Sequence, residues 1–281
     1  MPASPHKVVN LSVAIVLFNS ALPLLQRVLD SLAVAAAAAR EAGLLGELCV
    51  HLVDNDSAAA YRGALRDELP RWRAQGLPVT LHELPDNRGF GAGHNALLGE
   101  LDSEVHLVLN PDAELHEQAL ARGLAALAAD PGIALLSPFV VGPAGAQEFL
   151  CKRYPSVLVL LLRGFAPAAL RRACAGRLAL YEMRDVCARG EPAEVDLASG
   201  CFMLVRSAAL RQVGGFDEDF FLYFEDFDLS LRLRATGRLV FDPAMRIVHH
   251  GGYAARKGWR HQVLFLRSAW RFFRKHGWRW M

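Results

Sequence analysis

The chain has 281 residues, 53 % of them hydrophobic, with 31 Lys+Arg against 29 Asp+Glu, enough for one large core or two modest ones. Eight of the basic residues fall in 253–281, which hold no acid, so residues 1–252 keep a net charge of −6. This asymmetry excludes a globally basic nucleic-acid binder and points to a mildly acidic body with a basic tail. Cys49, Cys151, Cys174, Cys187 and Cys201 show neither CxxC nor zinc-like spacing, so reduced thiols are expected. MPASPHKVVN lacks a signal-peptide pattern. The apolar stretches 32–39 and 157–162 fall short of the roughly 18 residues that span a bilayer. A cytoplasmic protein is expected, with any membrane contact confined to the surface.

Residues 11–18, LSVAIVLF, read as a strand buried on both faces. A helix from about 22 to 42 follows, with Pro23 in its first turn and Gly43 at its end. A second strand, 47–53, runs into Asp54-Asn55-Asp56-Ser57, and a third, 79–83, precedes the loop from Asp86 to Asn95. Then come a helix over 94–101, a strand over 105–109 and a helix over 117–129. This alternation, with polar residues at the strand exits, predicts βαβ units and a mostly parallel sheet. After a strand at 133–139 the pattern loosens: residues 140–192 read as loops and helices of no assignable chemistry. Strands around Ser199-Gly200, a helix over 207–213, a helix ending near Ala235 and short strands at 239–241 and 246–248 complete a body of residues 1–252. Residues 253–281 form a basic, aromatic helical tail.

Strand 105–109 stops at Asn110-Pro111-Asp112, because Pro111 cannot donate to a ladder and biases Asn110 away from helix. Asp112 is thereby placed at the carboxyl end of a buried strand, where open α/β sheets bind ligands; alone it would serve equally as a helix N-cap. Gly91-Ala92-Gly93-His94-Asn95-Ala96 satisfies a GxGxxG/A dinucleotide pattern. It follows the third strand rather than the first, however, which weakens a nicotinamide reading and leaves a glycine loop open to an anion. Asp54, Asn55 and Asp56 fit either an Asx turn or contacts to a base and ribose. Between Asp217 and Asp228 six acids are interleaved with aromatics. They suit a helix N-terminus or a carboxylate that takes a proton in a partly apolar pocket.

Four blocks, Asp54-Asn55-Asp56-Ser57, Asn87-Arg88-Gly89-Phe90-Gly91, Leu109-Asn110-Pro111-Asp112 and the run from Gly215 to Asp228, occur in the order found in glycosyltransferase family 2. The chain most resembles its bacterial rhamnosyltransferase-like members, from about Val13 to Gly252. The resemblance implies the GT-A fold, an α/β architecture with a mostly parallel central sheet. It also implies an inverting transferase. Asp54, with Asn19, Asn55, the loop Asn87, Arg88, Gly89, Phe90 and Gly91, and Asn110, would contact the nucleotide sugar. Asp112 would stand in place of the DXD-type motif and, with His249, hold a divalent cation, Mg²⁺ or Mn²⁺; here the motif keeps one acid. Asp226 would be the general base, with Glu225 or Asp228 as alternatives.

The donor implied by the subgroup is dTDP-rhamnose, and the acceptor a saccharide or lipid-linked saccharide of a cell-surface polysaccharide. A UDP-hexose or galactofuranose donor stays open, as does a non-catalytic sugar-nucleotide or polysaccharide-binding module. In the tail, Val263, Leu266, Trp270 and Phe273 share a helical face. That face would pack on the body or lie on an anionic membrane with Trp259, Trp278 and Trp280 at headgroup level.

Overall fold

The computed structural model describes residues 8–251 and 259–281; the expected boundary between body and tail at 252/253 lies outside them. The first half is a run of parallel βαβ units: β1 (Val9–Leu17), α1 (Leu22–Glu41), β2 (Leu45–Asp54), α2 (Ala59–Ala74) and β3 (Val79–Glu83). After α3 (Phe90–Asn95), β4 (Val105–Leu109) pairs in parallel with the other side of β1. The strands β1 and β4 are buried on both faces, so they read as apolar runs, whereas β2 alternates, with Glu47 and Cys49 exposed between buried Leu45, Leu48 and Val50. In β1, Leu11, Val13, Ile15 and Leu17 face one core with α1, α2 and α4 (Ala119–Ala129), while Ala14 and Val16 face the other. This period of two builds a three-layer sandwich.

The second half makes the sheet mixed. Its path is β3-β2-β1-β4-β9-β6-β10-β5, with β5 (Ala113–Leu115), β6 (Ile133–Val141), β9 (Phe202–Arg206) and β10 (Arg238–His249). Strand β9 runs antiparallel to both β4 and β6. The two short strands expected at 239–241 and 246–248 are one strand, β10, whose register against β6 slips between Asp242 and Arg246. Pro243 cannot donate to the ladder there, which broke the sequence pattern without ending the strand.

Residues 140–192 carry β7 (Gln147–Glu148) and four helices, α5 (Val157–Phe165), α6 (Ala168–Ala173), α7 (Ala175–Tyr181) and α8 (Arg184–Cys187). Short strand β8 (Ala193–Glu194), α9 (Ser207–Gln212) and α10 (Glu225–Leu233) follow. The last helix, α11 (Trp259–His276), packs Ala269, Phe272 and Phe273 on Leu160, Phe220 and Phe224, forming a third apolar cluster.

Helix α1 is long and apolar enough to cross a membrane by composition. Its Leu25, Val28, Leu29, Leu32 and Ala35 are instead fully buried against the sheet. On its other side Arg27 pairs with Glu114 at 2.6 Å and Gln26 accepts from the Trp72 indole at 2.6 Å.

Candidate active site

Asn19, Asp54, Asn87 and Asn110 all follow the carboxyl ends of adjacent parallel strands and so meet along one edge of the sheet. Asp54 is fully buried; its Oδ2 accepts from the Ser57 amide at 3.1 Å, and its Oδ1 is buried with no hydrogen-bond partner. A buried carboxylate oxygen left without a donor costs free energy, and an incoming N–H or hydroxyl would satisfy it. Asn55 acts differently. Its amide donates to Asn87 Oδ1 at 3.0 Å and to the Gly89 carbonyl at 2.9 Å, and its oxygen accepts from the Arg88 amide. It is spent on shaping the 87–89 loop. Asn19, at φ 49°, accepts from the Ala58 amide at 3.0 Å and fixes the mouth of the first βα turn.

The glycines of the loop have packing reasons of their own. Gly89 sits at φ +96°, and a Cβ there would come within 2.2 Å of the Phe221 carbonyl oxygen. Phe90 donates its amide to that carbonyl at 3.1 Å, tying the loop to the acid-aromatic segment. Gly91 and Gly93 let α3 press against Phe216 and Val16. The helix expected at 94–101 thus begins at Phe90 and ends at Asn95, because its small residues are the packing surface. Arg88 pairs with Glu218 at 2.8 Å.

Asp112 and His249 are far apart in sequence and adjacent in space because β5 and β10 pair antiparallel, His249 opposite Ala113, with the His250 amide donating to the Asp112 carbonyl at 2.8 Å. His249 Nε2 stands 3.6 Å from Asp112 Oδ1. Its Nδ1 lies 2.9 Å from Glu148 Oε2. A carboxylate on one ring nitrogen orients the imidazole and leaves the other for a metal. Two donors on one Mg²⁺ or Mn²⁺ at about 2.1 Å each sit about 3 Å apart, so this pair fits one hard cation. No cluster of three or more such side chains able to hold a metal occurs among the described residues, so the remaining positions would go to water and substrate phosphates, the usual Mg²⁺ arrangement. His250 pairs with Glu114 at 2.6 Å instead.

The structure sorts the six acids of 217–228. Asp217 pairs with Lys275 at 2.6 Å, Asp219 with Arg271, and Glu218 with Arg88. Asp228 is fully buried between Arg232 (2.7 Å), Lys275 (2.6 Å) and His276 (2.8 Å). Four acids therefore fasten the tail and the loop, which leaves Glu225 and Asp226. Asp226 is half-buried and accepts from the Gly200 amide at 3.0 Å and the Phe227 amide at 2.9 Å. Burial raises its pKa above the usual carboxylate value, opposed by those amides and by the Lys152 charge. Glu225 is buried, its Oε2 lacks a partner, and burial followed by the neighbouring Asp226 charge pushes its pKa well above the usual value. Both carboxyl groups are thus pushed toward their protonated forms, and the two amides on Asp226 favour its ionised form over that of Glu225.

Tyr223 and Phe224, immediately before this pair, adopt φ 70° and φ 66°, a left-handed conformation that costs non-glycine residues about 1–3 kcal/mol each. Helix α11 holds them there. Ser268 Oγ donates to the Leu222 carbonyl at 2.8 Å, the Tyr223 hydroxyl meets His261 at 3.1 Å, and Phe224 packs on Phe265 and Phe272. The expected tail face is split: Phe273 is buried, whereas Val263, Leu266 and Trp270 are about half exposed. Helix α11 is clamped to the body on one side and exposes apolar side chains on the other.

Glu225 and Asp226 line a cleft of about 580 Å³ whose far wall is Glu148, Phe149, Lys152, Arg163, Tyr181 and Arg184. These residues come from 140–192, where the sequence pattern carried no readable periodicity. Lys152 was findable only as a lysine in a bridge to Leu197, a pairing local sequence does not encode.

The model of the glycosyl transferase family 2 matches residues 12–214. An N-acetylglucosaminyl-diphospho-decaprenol L-rhamnosyltransferase of Mycobacterium tuberculosis is 32 % identical over 220 residues, covering 73 % of this chain and 67 % of the relative. Rhamnosyltransferase WbbL of Escherichia coli is 47 % identical over 57 residues, 20 % of this chain and 22 % of that protein. Among solved structures, the mannosyltransferase PcManGT of Pyrobaculum calidifontis, in complex with GDP-Man and Mn²⁺, superimposes with a TM-score of 0.60 at 22 % identity, over 95 % of this chain and 66 % of that one. GalNAc-T7 with UDP, GalNAc and Mn²⁺ gives 0.60 at 15 % identity, over 86 % and 43 %. These likenesses establish the GT-A fold, and with the family match they identify the chain as a member of glycosyl transferase family 2.

Proposed function

We propose that this glycosyltransferase works with inversion, moving L-rhamnose from dTDP-rhamnose to a hydroxyl of a lipid-linked saccharide in cell-surface polysaccharide synthesis. The observation that carries the reading is Asp226, a carboxylate that lines the cleft and accepts from two backbone amides. The acceptor hydroxyl gives its proton to Asp226 as its oxygen attacks the anomeric carbon. The bond from that carbon to the diphosphate breaks, and the nucleoside diphosphate leaves on the opposite face. Asp54 Oδ1 takes a hydrogen bond from the nucleoside, and the Asn87–Gly89 loop shapes the wall beside it. Asp112 and His249 would hold a divalent cation, which would supply charge neutralisation for the departing diphosphate. The relative from M. tuberculosis, by its name, uses a rhamnosyl group and a diphospho-decaprenol acceptor, and this supports both the sugar and the lipid.

Peripheral membrane contact belongs to the same reading. Trp259, Val263, Leu266 and Trp270 of α11, with Trp278 and Trp280 after it, are 45–70 % exposed. Arg274 lies 5.2 Å over the Trp270 ring. Exposed aromatics with basic neighbours suit an anionic interface.

The test is calorimetric titration with dTDP-rhamnose, dTDP, UDP-glucose, UDP-galactofuranose and NADH, with and without Mg²⁺ or Mn²⁺. Metal-strengthened binding of dTDP-rhamnose, lost in Asp112→Ala, is expected. Preference for a UDP-sugar would overturn the sugar, and binding of no nucleotide would overturn the enzyme in favour of a binding module.

A further inference from the structure

Helices α5, α6 and α7 carry a surface that the fold itself leaves uncovered. Residues 157–181 contain four basic side chains, Arg163, Arg171, Arg172 and Arg177, and no acid. Glu182, the first acid after them, is turned into the cleft and pairs with Arg184 at 2.6 Å. Helix α5 is apolar all round: Val159, Leu160 and Leu162 point inward, while Leu161 and Phe165 are exposed. A helix of that kind is normally covered on both sides. Helix α6 buries none of its side chains, although helices this short draw their stability from an apolar face packed on something. Leu161, Phe165, Leu170 and Leu180 are 47–56 % exposed, and Arg171, Arg172 and Arg177 make no ion pair with any described residue.

This surface is continuous with the exposed side of α11. An apolar groove of about 190 Å³ runs between the two, lined by Leu161, Phe165, Leu266, Trp270 and Trp278 among others. The chain after α11 fixes their relation. The Val157 and Leu158 amides, two of the unpaired donors at the start of α5, donate to the Arg279 and Trp280 carbonyls at 2.8 and 3.2 Å. Trp278 stacks between Phe273 and Trp280. Residues 259–281 likewise hold no acid. The carboxylates nearest α11, Asp217, Asp219 and Asp228, are taken up by Lys275, Arg271 and His276. The face made by α5–α7 and α11 is therefore rigid, apolar and basic.

We propose that α5–α7 are the second half of a docking face for an anionic phospholipid bilayer, with Phe165 and Leu170 among the acyl chains and Arg171, Arg172 and Arg177 at the phosphates. This rests on the peripheral contact already read for α11 and adds a second, independent element to it. The charge and the apolar side chains are interleaved along the face, as interfacial binding requires. A second copy of the chain suits it poorly, because an isologous contact would set these arginines against their own counterparts. Leu160 and Phe265 line both the groove and the cleft of Asp226, so docking on this face brings the cleft to the bilayer surface.

The experiment is co-sedimentation of the full chain with vesicles of phosphatidylcholine, alone or mixed in equal parts with phosphatidylglycerol. Binding to the mixed vesicles is expected, and far weaker binding to phosphatidylcholine. Arg171→Gln with Arg172→Gln and Arg177→Gln should weaken it about a hundredfold, at about fivefold for each charge near an anionic surface. Phe165→Ser with Leu170→Ser should weaken it at least about tenfold through lost apolar insertion. Both sets lie on exposed positions, so thermal unfolding and dTDP binding should stay as in wild type. Wild-type binding by the triple arginine variant, or equal binding to both kinds of vesicle, overturns the proposal. So does a dimer in sedimentation equilibrium that Phe165→Ser with Leu170→Ser dissociates, since the face would then join two copies. Release by Trp259→Ser with Trp270→Ser but by neither α5–α7 set leaves α11 as the whole contact and sinks only this proposal. Absence of vesicle binding by wild type sinks the α11 contact as well, while dTDP binding by the same preparation decides the glycosyl-transfer reading separately.

Discussion

Replacing Lys152 by methionine should stabilise the protein at neutral pH. The Lys152 pKa falls from 10.5 to about 8, chiefly through burial and then through Arg163. At 1.36 kcal/mol per unit that lowering is worth about 3 kcal/mol. Below about pH 8 the ammonium is protonated in both folded and unfolded chains, and the cost is fully present. Between about 8 and 10.5 the folded chain releases its proton first, so stability rises with pH across that window, and above it the cost is gone. Methionine fills the same space without charge but leaves the Phe149 carbonyl without its donor, a loss of about 1 kcal/mol. The net expectation is a gain of about 2 kcal/mol at pH 7. Urea unfolding of wild type and variant at a series of pH values reads this directly, with unchanged slopes as the control. Cys151 and Tyr181, which neighbour Lys152, have pKa values pushed up to about 12 by burial and so titrate above this window. The variant should lead at pH 7, and its lead should shrink between pH 8 and 10.5. A variant less stable than wild type at pH 7, or a difference that ignores pH, would refute the reasoning that the lysine is held against its own solvation.

Asp226→Asn should abolish transfer with donor affinity near wild type, whereas Glu225→Gln, copying the protonated form, should keep it. Because burial raises the Asp226 pKa, the rate should climb with pH through a limb above the ordinary carboxylate range; a limb at ordinary values would contradict the assignment. Gly251→Ala would bring a Cβ within 2.2 Å of the His249 ring, so metal-strengthened nucleotide binding should fall at least about tenfold, as when a ligand loses its orientation, measured by calorimetry. Trp259→Ser with Trp270→Ser should release the protein from anionic vesicles without loss of thermal stability, since both side chains are at least half exposed. Deleting α11 is a poorer probe. It strips Lys275 and His276 from buried Asp228 and uncovers Phe220 and Phe224.

The parallel half of the fold was legible because each strand there is an apolar run ending in a polar turn. Its exits at Asn19, Asp54, Asn87 and Asn110 are marked in the sequence by polar residues after each run. Boundaries moved by a residue or two, except at α2 (Ala59–Ala74), which the sequence reading did not name, and at α3, where glycines that look like a phosphate loop are the helix surface pressed on Val16 and Phe216. The pairing of Asp112 with His249 was named from resemblance; its physical cause, the antiparallel β5–β10 ladder, appears only in the fold.

What the sequence determined by itself was the apolar run of β1, the strand stop at Asn110-Pro111, the charge split between body and tail, and the presence of acids among aromatics between 217 and 228. What only the tertiary structure decided was which of those acids remain for chemistry. Asp217, Asp219 and Asp228 are taken up by cations of α11, and the sequence holds no local record of a partner so far along the chain. The same holds for Glu148 behind His249 and for Lys152 in the cleft wall. Their roles depend on desolvation and on the charges that long-range packing brings near them, and neither quantity exists until the chain has folded.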